Sequence, residues 1–212
     1  MKYIIMCGGS YERWETPRQL TEICGEPIVA RTIRLLREQG VSDIAISSNN
    51  PIFEQFGVPV LRHDNKMVVT EELDVKGYWV DAFYPADDPV CYLLGDVVFS
   101  PEAIKTIVET DADDIEFFAS APPFTAEYMK LWAEPFALKV ANTDHFKNAI
   151  SLTKRYADMG LFKRHPIAWE LWQVIQATPL NNIRYDNYTI INDYTCDVDS
   201  ANDAVLFEEI LR

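Results

Sequence analysis

Positive charge is in short supply in this chain. Nineteen lysines and arginines stand against 33 aspartates and glutamates, a formal net charge of -14 at pH 7. A surface of that sign repels a phosphate polymer, which excludes nucleic acid as a partner. It also makes any polyphosphate site a local matter of a few arginines and a divalent cation. Histidine is scarcer still: His63, His145 and His165 are scattered without ligand spacing, so no zinc site is expected. The four cysteines, Cys7, Cys24, Cys91 and Cys196, carry no paired metal-site spacing, and two of them lie inside apolar runs. They read as reduced structural thiols of a cytoplasmic protein. No apolar run approaches the length that crosses a bilayer, and the short one after Lys2 is too brief for a signal-peptide core. The expectation is a cytoplasmic protein with a small ligand, without nucleic acid and without a membrane.

What is present fits one α/β domain spanning 1–212, long enough to bury a sizeable core, with 48% hydrophobic and 25% charged residues. Apolar runs predict strands at 2–7, 43–48, 58–62, 90–95, 115–121 and 136–141. Helical patterns fall between and after them, at 27–39, 72–84, 101–109, 144–158, 166–177 and 201–211. Alternation of this kind favours a mainly parallel sheet covered on both faces. In the first helix Val29, Ile33 and Leu36 share one side, and Gly40 is placed to end it. Ser100-Pro101-Glu102 reads as cap, first-turn proline and acidic first turn, and Ser200 to Asp203 has capping-box spacing. The stretch from Pro122 to Pro135 looks like an excursion at the sheet edge, of the sort that carries specificity. Tyr78 and Trp79 are expected on a helix facing the sheet. Trp169 and Trp172 are expected to pack, and Lys139, Lys154 and Arg155 to lie on solvated surface.

Three features carry chemistry. The first is the end of the opening run, Met6-Cys7-Gly8-Gly9-Ser10, followed by Arg13 and Arg18 in the same loop. A strand end with bare amides and guanidinium groups is a place to hold phosphates. It is not the dinucleotide fingerprint, since GGSYER lacks the GxGxxG spacing and no helix begins at once. The second is Gly95-Asp96, just beyond a buried strand, at the edge where open α/β sheets bind ligands. A carboxylate there is a natural hard-oxygen ligand for magnesium. The third is Cys196-Asp197-Val198-Asp199-Ser200, where alternation along an extended segment sends the two carboxylates to one side. Each feature alone has a plain alternative as a turn or a helix cap.

Their order is what resembles a known family: strand, glycine-rich arginine loop, helix after Gly-x-Pro, mid-chain Gly-Asp, late Asp-x-Asp-Ser-x-x-Asp. The chain is similar to the nucleotidyltransferases of the sugar-1-phosphate and CMP-sugar-acid kind. The resemblance is best over 3–48 and 91–100, with a shorter match at 193–211; 63–88 and 122–180 match loosely. It implies a Rossmann-like, glycosyltransferase-A-type three-layer sandwich with a mainly parallel mixed sheet. It implies that Cys7, Gly8, Gly9 and Ser10 wrap a nucleoside triphosphate and that Arg13 and Arg18 reach its phosphates as the catalytic pair. Asp96 would bind Mg2+ beside the substrate, Asp199 would complete the metal site, and Asp197 would support it from behind. Two positions depart from the resembled pattern: Tyr11 stands where glycine is usual and Arg18 where lysine is usual.

The implied reaction moves a nucleotidyl group from the triphosphate to a small phosphorylated acceptor, such as a sugar 1-phosphate, and releases pyrophosphate. Two alternatives share the fold: a glycosyltransferase, and an inactive binder of nucleotides or sugar nucleotides. Edge strands and exposed aromatics permit a homodimer. Asp96→Ala is expected to cost orders of magnitude in turnover with little loss of fold. All of this requires the N-terminal turn, Asp96 and Asp199 to meet in a single cleft.

Overall fold

A computed structural model of the chain describes residues 1–63, 65–72, 74–121 and 133–212. Seven strands form the main sheet: β1 (Lys2–Met6), β2 (Ile44–Ser47), β3 (Val60–Leu61), β4 (Val90–Leu94), β5 (Ile115–Ala119), β6 (Pro135–Val140) and β7 (Thr189–Ile190). Their spatial order is β7-β5-β6-β4-β1-β2-β3. All neighbours are parallel except β6, which runs antiparallel to both β5 and β4. From β1 the chain steps outward through β2 and β3, then returns to place β4 on the opposite side. The order therefore reverses between β1 and β4, and a crevice opens at the carboxyl ends of those two strands.

Among the described residues five helices complete the layers: α1 (Ile28–Glu38), α2 (Pro101–Glu109), α3 (Thr143–Asp158), α4 (Ala168–Ile175) and α5 (Ala201–Leu211). The alternation of β1 explains why both faces need cover. Tyr3, Ile5 and Cys7 join Val29, Ile33 and Leu36 of α1 and Ile104 and Ile107 of α2 in one core. Ile4 and Met6 join Phe146 of α3 and Trp169 and Trp172 of α4 in the other. A third cluster seats Phe207 of α5 against Ile28, Val98 and Val198. This is the expected three-layer sandwich. The caps are as the sequence reads: Ser100 accepts from the Ala103 N–H at 2.8 Å, and Asp203 accepts from the Ser200 N–H at 2.7 Å.

The helix expected over 72–84 does not form. Val75–Lys76 is instead the edge of a small three-stranded sheet in which Val68–Val69 pairs with both Val75–Lys76 and Ser10–Tyr11. Gly77 follows at φ +81°, and a Cβ there would lie 3.0 Å from the Lys66 carbonyl oxygen, so an α-helix cannot run through it. Trp79 falls in a single 3-10 turn, Trp79–Ala82, rather than on an α-helix. Lys139 is not on solvated surface. It is buried in β6 and donates to the carbonyls of Val108 and Thr110 at the end of α2, at 3.1 and 2.5 Å, and its burial pushes the ammonium pKa down. Of the expected excursion from Pro122 to Pro135, residues 122–132 lie outside the described residues. Among the described residues no helix is long and apolar enough to cross a membrane.

Candidate active site

At the carboxyl end of β1 the chain turns through Cys7, Gly8 and Gly9 before Ser10–Tyr11 joins the small sheet. The Cys7 N–H still belongs to the main sheet, donating to the Ser47 carbonyl at 2.9 Å, and its thiol is buried behind the turn. Burial, and after it the charge of Asp96, push that thiol well above the usual range, so it stays protonated. Ser10 donates its N–H to the Met67 carbonyl at 3.1 Å. Between them, the amides of Gly8 and Gly9 donate to nothing among the described residues, and Gly8 lines the cleft. Asn65 and Met67 lie against this turn, close enough that a Cβ at Gly8 would be 2.6 Å from the Asn65 Nδ2.

Asp96 reaches the same place because the β4 turn is pressed against the end of β1. The Gly95 N–H donates to the Met6 carbonyl at 3.1 Å. A Cβ on Gly95 would stand 2.3 Å from the Met6 oxygen and 2.8 Å from the Cys7 sulfur, so only glycine permits the approach. A short antiparallel ribbon then brings in the far end of the chain. Val97 and Val98 pair with Asp197 and Cys196, and the Val198 N–H donates to the Asp96 carbonyl at 2.9 Å. Asp96, Asp197 and Asp199, with Arg13 and Arg18, line one cleft of about 550 Å³ at the crevice between β1 and β4.

The arginine of Pro17-Arg18 enters from below. Residues Arg18–Leu20 form a 3-10 turn that aims its side chain inward. One guanidinium nitrogen bonds Asp96 Oδ2 at 2.5 Å and another bonds Asp199 Oδ1 at 2.5 Å, with the Val198 carbonyl at 3.2 Å from the second. The side chain is 7% exposed, those of Asp96 and Asp199 16% and 51%. Over the guanidinium lies the ring of Tyr11, its centroid 3.9 Å from Cζ. The two departures from the resembled pattern thus touch each other: an arginine fork that spans two carboxylates, and a ring that covers it. Burial works against the Arg18 charge, but Asp96, Tyr11 and Asp199 outweigh it and leave the pKa above its ordinary value. Burial raises the Tyr11 phenol to about 12, with Asp96 adding to the shift. Arg13 is different: exposed at the rim, it donates to the Glu71 carbonyl.

A resident magnesium does not fit between Asp96 and Asp199 as these side chains stand. The ion needs oxygens at about 2.0–2.1 Å in near-octahedral array, and each carboxylate already turns an oxygen to Arg18. Among the described residues no group of three or more His, Cys, Asp or Glu side chains is arranged to hold a metal.

The opposite wall comes from segments that the sequence reading left out of the site. Trp79, Trp169 and Tyr185 line it, with Arg164. Trp169 does pack, donating its indole N–H to the Ala133 carbonyl at 3.0 Å, and its ring meets Tyr185 edge-on at 4.7 Å. Arg164 is held by Glu170, Nε to Oε1 at 2.6 Å; the acid is 4% exposed and the arginine 49%. A buried acid that fixes an exposed guanidinium prepares an anion site. The available signal was weak, a lone Arg164 six residues before an acid at the start of a helix.

Residues 3–157 match the family of MobA-like NTP transferase domains. No protein of curated function matches the chain in sequence. Solved structures share the fold at low identity. One from Bacillus anthracis, described as a glucose-1-phosphate thymidylyltransferase, has a TM-score of 0.58 and 14% identity over 100% of this chain and 95% of its own. The inositol-1-phosphate CTP transferase of T. maritima gives 0.57 and 13%, covering 97% and 96%. The CTP:phosphocholine cytidylyltransferase of Streptococcus pneumoniae gives 0.52 and 14%, covering 99% of each.

Proposed function

Because this chain belongs to the family of MobA-like NTP transferase domains, and is therefore a nucleotidyltransferase, we propose that its acceptor is a small phosphate ester. A phosphate oxygen of the acceptor attacks the α-phosphorus of a nucleoside triphosphate. The new O–P bond forms as the bond to the β-phosphate oxygen breaks, and pyrophosphate leaves with that electron pair. The nucleophile is already ionised, so no general base is needed and catalysis rests on positioning and charge. The open amides of Gly8 and Gly9 take phosphate oxygens, Arg13 meets the triphosphate at the rim, and Arg18 supplies fixed positive charge at the floor. Arg164, braced by Glu170, takes the acceptor phosphate, and Trp79 and Tyr185 flank the rest of that molecule. Magnesium enters as the counter-ion carried by the triphosphate, with a sugar 1-phosphate or a similar ester as acceptor. The setting is cytoplasmic sugar-nucleotide or surface-polysaccharide synthesis.

The observation that carries this reading is the meeting of the Gly8–Gly9 turn, Asp96, Asp199 and two arginines in one cleft at the reversal of strand order. The names of the solved neighbours, which cover a phosphorylated sugar, an inositol phosphate and phosphocholine, agree with the acceptor class. The test is pyrophosphate release from the four common triphosphates, each offered sugar 1-phosphates, phosphocholine and inositol 1-phosphate with Mg2+. One pairing should release pyrophosphate well above the rest. Release of a nucleoside diphosphate would move the chain to the glycosyltransferases, and binding without release would make it a nucleotide binder.

A further inference from the structure

We infer that Arg18 is the resident cation of the Asp96–Asp199 pair, occupying with its guanidinium the place between the two carboxylates that a divalent metal would take in the nucleotide-free protein. Two like charges at the end of a narrow ribbon repel unless a cation lies between them. Here the cation is covalent. Separate nitrogens of one guanidinium reach Asp96 and Asp199, both at 2.5 Å, so a single group bridges the pair as a metal would.

The bridge is held by contacts beyond the two acids. Pro17 and the 3-10 turn hold its base, the Val198 carbonyl accepts at 3.2 Å, and the Tyr11 ring closes one face at 3.9 Å. The residue as a whole is 6% exposed, and its Nε is buried without an acceptor. A metal ion within ligand distance of the inner carboxylate oxygens would sit against this guanidinium, cation upon cation. To admit it, Asp96 and Asp199 would have to release Arg18, leaving a buried charge with a carbonyl and a ring in place of two acids. The arrangement favours a protein that keeps its own charge in place and meets divalent ions only on its substrate.

The inference draws on the proposed function for its meaning but not for its test, which uses no nucleotide. Mn2+ is titrated into the full chain, with free Mn2+ followed by electron paramagnetic resonance and Mg2+-dependent thermal unfolding run in parallel. The wild-type protein should bind no Mn2+ at this site and show no Mg2+-dependent rise in its unfolding temperature. Arg18→Met, which removes the guanidinium from between the two carboxylates, should gain one Mn2+ on the order of tenfold tighter than any wild-type site. It should also unfold at a temperature that rises with Mg2+. Arg18→Gln, which removes the charge but keeps a polar side chain of intermediate length, should gain the same site if Arg18→Met fails to fold. Adding Asp96→Asn should abolish the gained site. A wild-type protein that binds one Mn2+ and loses it on Asp96→Asn overturns the inference, as do folded Arg18 variants that bind none. Failure of nucleotidyl transfer, by contrast, leaves these binding results untouched.

Discussion

At its phosphate end the cleft is walled by backbone and charge: the Gly8–Gly9 turn, the Gly95–Asp96 turn, and the bridge of Arg18 to two acids. At the far end it is walled by rings, Trp79, Trp169 and Tyr185, with one guanidinium held by a buried glutamate. The first wall lies where strand order reverses and is drawn from short turns joined by main-chain hydrogen bonds. The second is drawn from a 3-10 turn, a helix and a connecting segment, joined in part by side-chain donors such as Trp172 Nε1 and Gln173 Nε2 to carbonyls of that segment. A triphosphate presents the same chain of oxygens whatever its base, so main-chain donors suffice for it. An acceptor is defined by its own shape, and that wall is where side-chain identity matters most.

Asp96→Ala is expected to show the largest effect. It should lower turnover by roughly 100- to 1,000-fold. It also leaves buried Arg18 short of a partner, which costs about 3–5 kcal/mol of stability. The structure therefore revises the expectation that this change spares the fold, and urea unfolding together with pyrophosphate release measures both parts. A variant as stable as the wild type would show that the Arg18–Asp96 pair contributes little.

Gly95→Ala comes next. Its Cβ would need room 2.3 Å from the Met6 oxygen, so the turn must move away from β1, at a cost of about 1–3 kcal/mol. Thermal unfolding should register the loss, and turnover should fall because Asp96 moves with the turn.

The comparison is sharpened by a matched pair at the two ends. Arg164→Ala should raise the acceptor KM roughly tenfold or more while leaving the triphosphate KM near wild type. Arg13→Ala should do the reverse. Equal changes in both constants for either variant would erase the division between the two walls. The smallest expected effect belongs to Tyr11: Tyr11→Ala should cost about 1 kcal/mol, and Tyr11→Phe, which keeps the ring over Arg18 and removes the hydroxyl beside it, about half of that. Chemical denaturation separates them, and a large loss in Tyr11→Phe would assign the hydroxyl a role of its own.

Much of the frame was readable from local pattern. The apolar runs of β1, β2, β4, β5 and β6 and the capped helices α2 and α5 satisfy their own backbone or bury one face, and periodicity reports both. The stretch 72–84 was misread because apolar spacing outweighed Gly77, whose positive φ fits a turn and not a helix. The strand pairs Ser10–Tyr11 with Val68–Val69 and Val97–Val98 with Cys196–Asp197 are only two residues long per strand, too short to leave a period. Within the site, Asp96, Asp199 and Arg18 were recognisable through resemblance, whereas their pairing with one another was not. Nothing near Arg18 in sequence announces acids 78 and 181 residues away. Arg164 went unnoticed for the same reason, since its meaning lies in how deeply Glu170 is buried.

The ribbon that carries Asp197 and Asp199 has a consequence for how the protein comes into being. Translation delivers the last strand of the sheet at Ile190, and the carboxylate at 199 only afterwards. A nascent chain can hold all seven strands of the sheet and α1 to α4 while Arg18 still lacks half of its anchor. A chain cut short of residue 199 holds the residues of all seven main-sheet strands but lacks one of the two acids that Arg18 bridges.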